Sequence, residues 1–493
     1  MALNYTATRA FSLTILLPLA ACTTTPAEVV QSQPVASEIT GLPDKPNVLF
    51  IAIDDLRPDL GVYGHPVAYT PNIDRLAQQS LLFDNAFVSQ AVCGPSRAAL
   101  MTGLRPDTTG ITSLKQPVSE TLPSAVTMSQ MFKNAGYETI GIGKVYHHSD
   151  DDMKGWTKRP EDVIYEDRRA ERRSGTPKLS HRARPFEEMP DTVNVRVAQT
   201  ELARLGGNEN PFFMVVGIHR PHLPFNYTQD DWDRYEGKTI PGPINPEGQV
   251  GAPDYALVSY EIWNYDDTEA YGASKVMPKA KADELRRAYL ASVTYADRLV
   301  GDLLATLENQ GLADDTIVVL WSDHGWKIAD HANWAKHSTA NIDIRVPMMI
   351  SVPGMPATGK RSEALVETVD LYPTLAQLTG LSTPGNLEGL SFVPLLQNPS
   401  LEWKDAAFTQ YGRNVPGQGR ATGHTVRTDD YRYTAWVIDK SRKVVDEELY
   451  DLRSDGDETR NVAGDAAYSS VLAEARRFYR DGWKGVRDRI ASN

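Results

Sequence analysis

Short apolar runs alternate with amphipathic segments along the chain from residue 47 onward. Runs that are mostly apolar predict buried strands, because both faces of such a strand are covered. Four of them lie at residues 48–53, 137–142, 212–218 and 316–322. Apolar residues at helical spacing predict helices, and these lie at residues 71–80, 125–134 and 282–310. The alternation indicates an α/β fold in which helices are layered on a sheet.

Two long stretches interrupt this alternation. Residues 148–190 are densely charged, and residues 226–278 are rich in proline, glycine and aromatic side chains. The arginines of the first stretch are Arg168, Arg169, Arg172, Arg173, Arg182 and Arg184. The aromatic residues of the second include Trp232, Tyr235, Trp263 and Tyr265. Loops of this length are usually functional or disordered.

The pattern of apolar and polar positions changes after about residue 397. Residues 431–437 alternate between apolar and polar positions, which predicts a half-buried strand. We therefore predict a catalytic domain at residues 45–397 and a smaller C-terminal subdomain at residues 398–493.

The amino-terminal segment predicts export. Residues 11–19 are apolar and follow Arg9, a stretch too short to span a bilayer but suited to a signal peptide. The segment Leu19-Ala-Ala-Cys22 resembles a bacterial lipobox, which implies cleavage of residues 1–21 and lipidation of Cys22. Residues 22–44, rich in Thr, Pro, Ser and Gln, would then form a tether. We expect a lipoprotein of the outer membrane or surface of a Gram-negative bacterium, held to the membrane only by its lipid. The alternative is a plain secretory signal with a chance cysteine.

The composition limits the classes of molecule that the protein is expected to bind. The 493 residues carry a formal net charge of −13, so the overall field does not attract polyanions and we expect no nucleic-acid partner. A polyanionic substrate would need a local basic patch. Two cysteines, Cys22 and Cys93, are too few for a disulfide framework.

Acidic side chains follow two predicted strands directly. Asp54 and Asp55 come after the first strand, and Asp323 and His324 come after the strand at residues 316–322. Ligand sites in open α/β sheets form at the carboxyl ends of strands. Adjacent carboxylates repel each other unless they share a cation, and oxygen ligands favour Ca²⁺ or Mg²⁺. One such pair is equally consistent with a solvated turn or a helix cap, whereas two favour a shared cation.

Cationic and titratable side chains lie near the same strand ends. Lys144 and His147 follow residues 137–142, His219 follows residues 212–218, and Lys336 comes shortly after Asp323. Each one alone would be read as a surface lysine or a structural histidine. Together they can hold a tetrahedral anion, offset its charge and protonate a leaving oxygen.

The most specific motif is the run Cys93-Gly-Pro-Ser-Arg97. It resembles the maturation signal of the type I sulfatases, a family in the alkaline phosphatase superfamily. In that family the cysteine is oxidised after translation to formylglycine, the nucleophile that cleaves sulfate esters. Arg97 lies one helical turn beyond Cys93, and its fork of donors can bridge the nucleophile and an anion.

The resemblance extends from residue 46 to the C-terminus, and within the family it is strongest to the iduronate-2-sulfatase group. The segments that carry it are residues 54–58, 71–74, 91–97, 105–108, 143–145, 219–224, 322–326 and 334–336, together with Gln410, Tyr411 and Arg413. Residues 448–452 resemble the strand and turn of the family's small C-terminal domain. The implied fold is an α/β sandwich with a large mixed central sheet flanked by helices, plus a C-terminal subdomain with a short antiparallel sheet.

The resemblance also implies roles for individual residues. The implied metal ligands are Asp54, Asp55, matured Cys93, Asp323 and His324. The usual metal of the family is Ca²⁺, although His324 stands where many sulfatases have asparagine, and a nitrogen ligand is less usual for Ca²⁺. The implied sulfate-binding and proton-transfer residues are Arg97, Lys144, His147, His219 and Lys336. We expect His219 or a Lys336-assisted group to protonate the leaving oxygen.

The implied substrate is a sulfated oligosaccharide from a uronic-acid-containing glycan, such as a glycosaminoglycan, ulvan or carrageenan. A formylglycine-generating enzyme would be needed for maturation. His222, Trp326, His337 and Arg413 are candidates for contact with the sugar, and His337 stands where the iduronate enzymes have an aromatic hydroxyl. The arginines at residues 168–184 would form a basic rim, and the aromatic residues at 232–271 would stack on sugar rings, unless both stretches are simply solvated or packed.

Two other functions fit parts of the sequence. A phosphomonoesterase or phosphodiesterase of the same superfamily would share the acidic metal ligands, but normally uses a serine, threonine or differently placed cysteine. A glycan-binding surface lipoprotein with a decayed site would need no catalytic set. The presence of every expected catalytic and metal-binding residue argues against decay.

Overall fold

The structure is a computed structural model that describes residues 1, 39, 41–207, 210–258 and 260–491. Cys22, the rest of the predicted signal peptide beyond Met1, and the tether up to residue 38 lie outside the described residues, so those predictions stay untested. No helix within the described ranges has both the length and the apolar character needed to cross a bilayer.

Fifteen strands form four sheets in the described part of the chain. They are β1 (Asn47–Ile53), β2 (Leu81–Phe87), β3 (Glu138–Gly143), β4 (His181–Ala183), β5 (Phe212–Ile218), β6 (Phe225–Tyr227), β7 (Thr316–Ser322), β8 (Lys327–Ile328), β9 (Trp334–Ala335), β10 (Met348–Ser351), β11 (Lys360–Glu367), β12 (Ala407–Val415), β13 (Gly419–Arg427), β14 (Tyr431–Ile438) and β15 (Val444–Asp451).

The central sheet has seven strands in the order β11-β2-β10-β7-β1-β5-β3. Strands β3, β5, β1 and β7 are mutually parallel, whereas β10 is antiparallel to both β7 and β2. The predicted α/β fold with a large mixed central sheet is therefore confirmed. The four parallel strands are the four apolar runs of the sequence, which are buried because helices cover both faces of the sheet.

Thirteen α-helices accompany these strands in the described residues. They are α1 (Pro71–Gln78), α2 (Cys93–Thr102), α3 (Pro106–Thr109), α4 (Val118–Thr121), α5 (Met128–Asn134), α6 (Ile164–Ser174), α7 (Pro190–Leu205), α8 (Gln229–Asp233), α9 (Lys279–Asn309), α10 (Asn341–Ile344), α11 (Leu371–Leu378), α12 (Val393–Gln397) and α13 (Ser469–Ala491).

Alternate residues of β1 belong to two separate hydrophobic cores. Leu49 and Ile51 pack into the core beneath α1, α7 and α9. Val48 and Phe50 pack into the core beneath α2, α5, α11 and α12. This period of two is what a strand imposes when both of its faces are covered.

The C-terminal region forms a four-stranded antiparallel sheet in the order β12-β13-β14-β15, as expected, with α13 packed on it. The predicted boundary at residue 397 lies at the end of α12, before β12 begins at Ala407. It stays a prediction, because the chain on both sides is packed together. Glu367 at the end of β11 accepts hydrogen bonds from Arg105 (2.6 and 2.8 Å) and from Lys404 (2.8 Å).

Several elements differ from the sequence-based expectation. The long charged stretch, expected to be irregular, contains the helix α6 and the short strand β4. The helix expected at residues 125–134 begins only at Met128, where the side chain of Thr127 caps it by accepting a hydrogen bond from the amide of Gln130. Helices α2 and α7 and strands β2, β10 and β11 were not predicted.

Candidate active site

The register of the parallel strands brings the chemically active residues to one edge of the sheet. Ile53 of β1 is paired with Ile218 of β5 and with Ser322 of β7, so the three strands end at the same level. Strand β3 ends beside β5, with Gly143 paired to Gly217. A Cβ atom at Gly217 would collide with the backbone of Lys144, so only glycine allows this close approach.

An acidic cluster forms where β1 and β7 end. Asp54, Asp323 and His324 lie around the thiol of Cys93, all of them buried. The Sγ atom of Cys93 lies 3.4 Å from Asp54 Oδ1 and 3.2 Å from His324 Nε2. Asp55, at a positive φ of 61°, completes the cluster, with its Oδ1 3.3 Å from His324 Nδ1. The structure therefore brings together all five residues that were predicted to hold a metal.

Two lysines face these acids. The Nζ atom of Lys144 pairs with Asp54 Oδ2 and lies 3.6 Å from Cys93 Sγ. Lys336 Nζ lies 3.0 Å from Asp55 Oδ1. Each charge is buried, and each is tolerated because an opposite charge lies beside it.

Arg97 joins the acids to the end of β3. Its Nε donates to Asp323 Oδ2 at 2.8 Å, and its Nη1 donates to the carbonyls of Lys144 and Val145. Its Nη2 lies 3.8 Å from Asp54 Oδ1 and makes no hydrogen bond within the described residues. A buried donor without a partner is available to a ligand at the cluster.

Burial and neighbouring charges shift the acid–base properties of the cluster. Burial works against the charged form of Asp54, but the charges of Lys144, His222 and Arg97 together outweigh burial and hold the pKa of Asp54 well below its usual range. Burial raises the pKa of Asp55 well above its usual range in spite of Lys336, and the charge of Asp54 adds to the effect. Burial, together with the charge of Asp54, raises the pKa of the Cys93 thiol to about 12. The unmodified thiol is therefore a poor nucleophile at neutral pH.

The two histidines after β5 face different ways. His222 Nε2 lies 3.9 Å from Asp55 Oδ2, and Nδ1 lies 2.7 Å from the carbonyl of Leu223. His219, the histidine chosen from the sequence, instead places Nε2 2.7 Å from Asp162 Oδ2. The structure thus places His222, predicted only as a sugar contact, at the acidic cluster, while His219 is held against Asp162.

His147 lies beside Lys144 without a hydrogen bond to its Nδ1 within the described chain. Burial and the charge of Lys144 lower the pKa of His147 to about 3. A neutral imidazole with a free nitrogen beside the cluster can form a hydrogen bond with a bound group.

The candidate sugar contacts surround Lys336. The ring of Trp326 is fully buried, with Lys336 Nζ 4.8 Å from its centroid, so it supports the ammonium rather than lining a surface open to a sugar. Arg413 Nε donates to the carbonyl of Tyr255 at 2.9 Å, and its Nη2 donates to the carbonyl of His337. Arg413 therefore holds the backbone around the site. Both ring nitrogens of His337 are also occupied, by Tyr411 (2.8 Å) and Glu261 (2.7 Å), so of the four candidates His222 is the one directed at the acidic cluster.

Two acids at the site were missed by sequence reasoning. Glu261 lies with Oε1 2.7 Å from His337 Nε2 and Oε2 3.3 Å from Lys336 Nζ. Asp162, the partner of His219, also accepts hydrogen bonds from Asn194 (3.0 Å) and from the amide of Ile164 (3.1 Å). Both acids lie in the long irregular stretches, where no periodicity marks a residue as buried.

The acidic cluster fits a divalent cation. Asp54, Cys93, Asp323 and His324 each offer a ligand atom, and these atoms lie within 4.8 Å of one another; Asp55 and His222 extend the set. Two adjacent buried carboxyls with opposed pKa shifts would both become charged if a cation lay between them. The carboxylate oxygens suit a hard cation, whereas a thiol does not.

Comparison with known proteins agrees with this arrangement. The chain matches the family model described as Sulfatase over residues 46–381, and a model described as N-sulphoglucosamine sulphohydrolase, C-terminal, over residues 329–480. It is 33% identical to iduronate 2-sulfatase of Homo sapiens, with 80% of this chain and 85% of that protein covered. It is 28% identical to a Delta 4,5-hexuronate-2-O-sulfatase of Bacteroides thetaiotaomicron, with 89% of each covered.

Solved structures share the fold. A protein in complex with its substrate D-glucosamine-2-N,6-O-disulfate superposes with a TM-score of 0.72 at 22% identity, covering 90% of this chain and 98% of that chain. A phosphonate monoester hydrolase from Silicibacter pomeroyi superposes with a TM-score of 0.73 at 22% identity, covering 88% and 95%. Fold and site together define an ester hydrolase of the alkaline phosphatase superfamily. Within it, the chain belongs to the sulfatase family and is a sulfuric ester hydrolase.

Proposed function

We propose that the protein removes sulfate from a sulfated, uronic-acid-containing oligosaccharide, with Cys93 converted to formylglycine as its nucleophile. The observation that carries the proposal is the position of Cys93. Its Sγ lies at the centre of the acidic cluster, 3.6 Å from Lys144 Nζ, at the first residue of α2. The side chain of residue 93 is therefore the group that a bound sulfate would meet.

The properties of the thiol support its modification. A pKa of about 12 keeps the unmodified Cys93 protonated, and sulfur matches a hard cation poorly. An aldehyde at this position, once hydrated, supplies a nucleophilic oxygen and a second hydroxyl whose deprotonation releases sulfate, which a serine could not do. A formylglycine-generating enzyme is the partner that this maturation requires.

Ca²⁺ is the cofactor we propose, with Mg²⁺ as the alternative, held by Asp54, Asp55, Asp323, His324 and the oxygen of residue 93. When bound, the cation would polarise the oxygens of the sulfate ester and of residue 93. The three carboxylates supply oxygen ligands, in keeping with either metal.

The cations of the chain would hold the sulfate group. Lys144 is paired with Asp54, and Lys336 is paired with Asp55. The Nη2 atom of Arg97 makes no hydrogen bond within the described residues. Charge that develops on the sulfuryl oxygens in the transition state would be offset by these fixed donors, which need no reorganisation when the reaction occurs. Their arrangement around Cys93 suits a tetrahedral oxyanion.

We assign protonation of the leaving sugar oxygen to His222 rather than to His219. If Nδ1 of His222 donates to the carbonyl of Leu223, then Nε2 is the atom that exchanges a proton on the side of the cluster. His219 is engaged with Asp162 through its Nε2, which leaves that nitrogen no free position for a substrate.

The substrate proposal draws on the named relatives. The names of iduronate 2-sulfatase and of the hexuronate-2-O-sulfatase both refer to a sulfated uronic acid. The similarity to each of them extends over most of this chain. A carbohydrate of the glycosaminoglycan or algal type, sulfated on or beside a uronic acid, is therefore the class to test first.

The experiment uses residues 23–493 produced together with a formylglycine-generating enzyme. Sulfate and phosphate release would be measured in parallel from sulfated glycosaminoglycan, ulvan and carrageenan oligosaccharides and their phosphorylated analogues. Cys93→Ala is the control, and mass spectrometry of the peptide containing residue 93 reports its conversion.

Sulfate release that requires converted residue 93 would support the proposal. Phosphate release without sulfate release would replace it with a phosphoesterase of the same fold. Neither product from fully converted protein would contradict the substrate class, and binding of the same oligosaccharides without turnover would favour a glycan-binding protein.

We also propose that the protein is exported and anchored through Cys22. The lipobox-like segment before Cys22 supports this. Metabolic labelling with a radioactive fatty acid should mark the full chain, and Cys22→Ala should abolish both the label and the membrane association. Membrane association that survives the substitution would contradict the anchor.

A further inference from the structure

A group of cations lies outside the acidic cluster, between α6 and the segment that follows β5. Its members are Arg168, Lys178 and Arg220, with the hydroxyl of Tyr265 among them; we refer to these four residues as the outer cation cluster. None of the three cations forms an ion pair with a described carboxylate, in a chain whose net charge is −13. A cluster of positive charges without carboxylate partners attracts an anion.

Arg220 is the buried member. It is 2% exposed, and its side chain makes one hydrogen bond within the described chain, from Nη1 to the carbonyl of His222. The nearby carboxylate of Asp191 accepts the backbone amides of His219 (2.8 Å) and Arg220 (3.2 Å) instead of the guanidinium. Burial lowers the pKa of Arg220; the charge of Asp191 opposes this shift, and the positive charge of Arg168 adds to it. Most of the five donors of this guanidinium are therefore unused.

Tyr265 connects the outer cation cluster to the active site. Burial raises its pKa to about 12, while the charges of Arg168 and Arg220 oppose the shift, and those of Glu261 and Lys336 also reach it. Lys178 Nζ lies 4.8 Å from the centroid of its ring. The hydroxyl makes no hydrogen bond to a described residue. The charges of the active site and those of the outer cation cluster therefore both act on the Tyr265 hydroxyl.

Arg168 borders open space. An open depression of about 540 Å³ is lined by Tyr165, Arg168, Arg169, Arg172 and Arg173 on α6. The hydroxyl of Tyr165 donates to the carbonyl of His147 at 3.1 Å, so this depression adjoins the active site. A group attached to the substrate can therefore reach Arg168 from the solvent side.

The arginines of the charged stretch fall into two kinds. Arg184 binds Asp167 through two hydrogen bonds of 2.8 Å, and Arg182 pairs with Glu171, so these two arginines hold α6 against β4. Arg168, on the same helix, has no such partner among the described residues. Arg168 is half-buried, and its charge lowers the pKa of the buried Arg220, so two like charges act on each other here without a described carboxylate bonded to either guanidinium.

We infer that the outer cation cluster is a second anion-binding subsite, which takes a carboxylate or a further sulfate of the substrate while the scissile sulfate lies at Cys93. This inference rests on the proposed function, which it makes more specific. It predicts that the enzyme prefers oligosaccharides with a second oxyanion near the scissile sulfate over sugars that carry a single sulfate.

The test compares one sulfated disaccharide with its uronate methyl ester, which has the same shape and one charge fewer. In the wild-type protein, kcat/KM should be roughly tenfold higher for the acid than for the ester, since a charge-assisted hydrogen bond is worth about that factor. Arg168→Gln should abolish the preference by lowering kcat/KM for the acid alone. Tyr265→Phe should weaken the preference in the same direction.

Arg196→Gln is the matched control. Arg196 lies on α7, pairs with Glu187 and is half exposed, so its loss changes the net charge equally without touching the subsite. A preference that falls equally in Arg196→Gln would show a general field effect and overturn the inference. Equal losses for acid and ester in Arg168→Gln would also overturn it. A second pair of disaccharides, with and without an extra sulfate on the neighbouring sugar, identifies which oxyanion is bound.

A binding measurement separates this inference from the proposed function. Calorimetry with Cys93→Ala protein reports affinity for the acid and the ester without turnover. A roughly tenfold preference for the acid that is lost in the Arg168→Gln double variant supports the subsite even if no sulfate is released. Equal affinity for acid and ester overturns the subsite even if the wild-type protein releases sulfate from both.

Discussion

Replacing the two histidines after β5 separately should show which of them donates a proton to the leaving sugar. His222→Gln removes a ring whose Nε2 lies 3.9 Å from Asp55 Oδ2, at the edge of the acidic cluster. His219→Gln removes a ring whose Nε2 lies 2.7 Å from Asp162, on the far side of the segment. The two residues are three positions apart in one motif, so each variant is the natural control for the other.

His222→Gln should lower the catalytic rate, whereas His219→Gln should lower the folding stability. General acid catalysis contributes about 10²–10⁴-fold, so His222→Gln should lose about 3–5 kcal/mol of transition-state stabilisation with a sugar sulfate. With nitrophenyl sulfate the loss should be about tenfold or less, because that leaving oxygen needs no proton. His219→Gln loses one hydrogen bond to the buried Asp162 carboxylate, which should cost about 1.5–3 kcal/mol of folding stability. Its activity per folded molecule should change only a few-fold.

The assay measures sulfate release from a sulfated disaccharide and from nitrophenyl sulfate for each fully matured variant. Urea unfolding of the same preparations gives the free energy of unfolding. If His219→Gln loses activity selectively with the sugar substrate while His222→Gln does not, the assignment from the structure is wrong. Equal losses with both substrates in His222→Gln would show that His222 positions the sulfate rather than protonating the leaving group.

Three further predictions concern the metal, the charged site and the contact between the central sheet and the C-terminal region. Chelation should abolish activity and lower the melting temperature, with added Ca²⁺ restoring about 2.7 kcal/mol of stability at a hundred times its dissociation constant. Glu261→Gln should lower kcat about tenfold with little change in stability, because Lys336 (3.3 Å from Glu261) is then drawn to its remaining acid, and Glu261→Asp should recover part of the loss. Lys404→Met should cost about 3–5 kcal/mol at pH 7 without changing activity per folded molecule. Because the pKa of Glu367 is lowered to about 2, below its unfolded value, that cost should shrink in urea titrations as pH falls from about 4.5 toward 2.

The central strands and the position of the site could be predicted from sequence because they depend on local patterns. The four parallel strands β1, β3, β5 and β7 are apolar at nearly every position, and this pattern has few explanations besides a strand covered on both faces. Polar residues that follow such strands must come out at one edge of the sheet. The residues proposed to hold a metal and a sulfate could therefore be placed at this edge without knowledge of the loops.

Other elements could not be predicted because the helical period is absent from their sequences. Helix α2 buries nine of its ten residues, including Arg97, so no polar face distinguishes it. Strand β10 has four residues and pairs with β2 and β7 only through long-range contacts. Glu261 could not be predicted for a similar reason. Its partners Lys336 and His337 are distant in sequence and contact it only in the folded chain.

The sequence also does not show which of His219 and His222 faces the acidic cluster. Both follow a buried strand and both belong to the motif that marks the family, so pattern alone does not separate them. What separates them is the backbone path after Ile218, which turns His219 toward Asp162 and His222 toward Asp55. A residue's role in such a loop is decided by where its neighbours place it, not by its distance from the strand.

The pairing of charges in the site implies that metal and substrate bind cooperatively. Lys144 now compensates Asp54, and Lys336 compensates Asp55 at 3.0 Å, each pair fully buried. A divalent cation among the carboxylates would take over this compensation and leave two buried ammonium groups in need of an anion. A sulfate group supplies that anion, so each ligand should raise the affinity for the other by the same factor, about 5–150-fold. Calorimetric titration of Ca²⁺ into metal-free protein, with and without inorganic sulfate, measures the factor. Equal affinities would mean that the lysines keep their carboxylate partners when the metal binds.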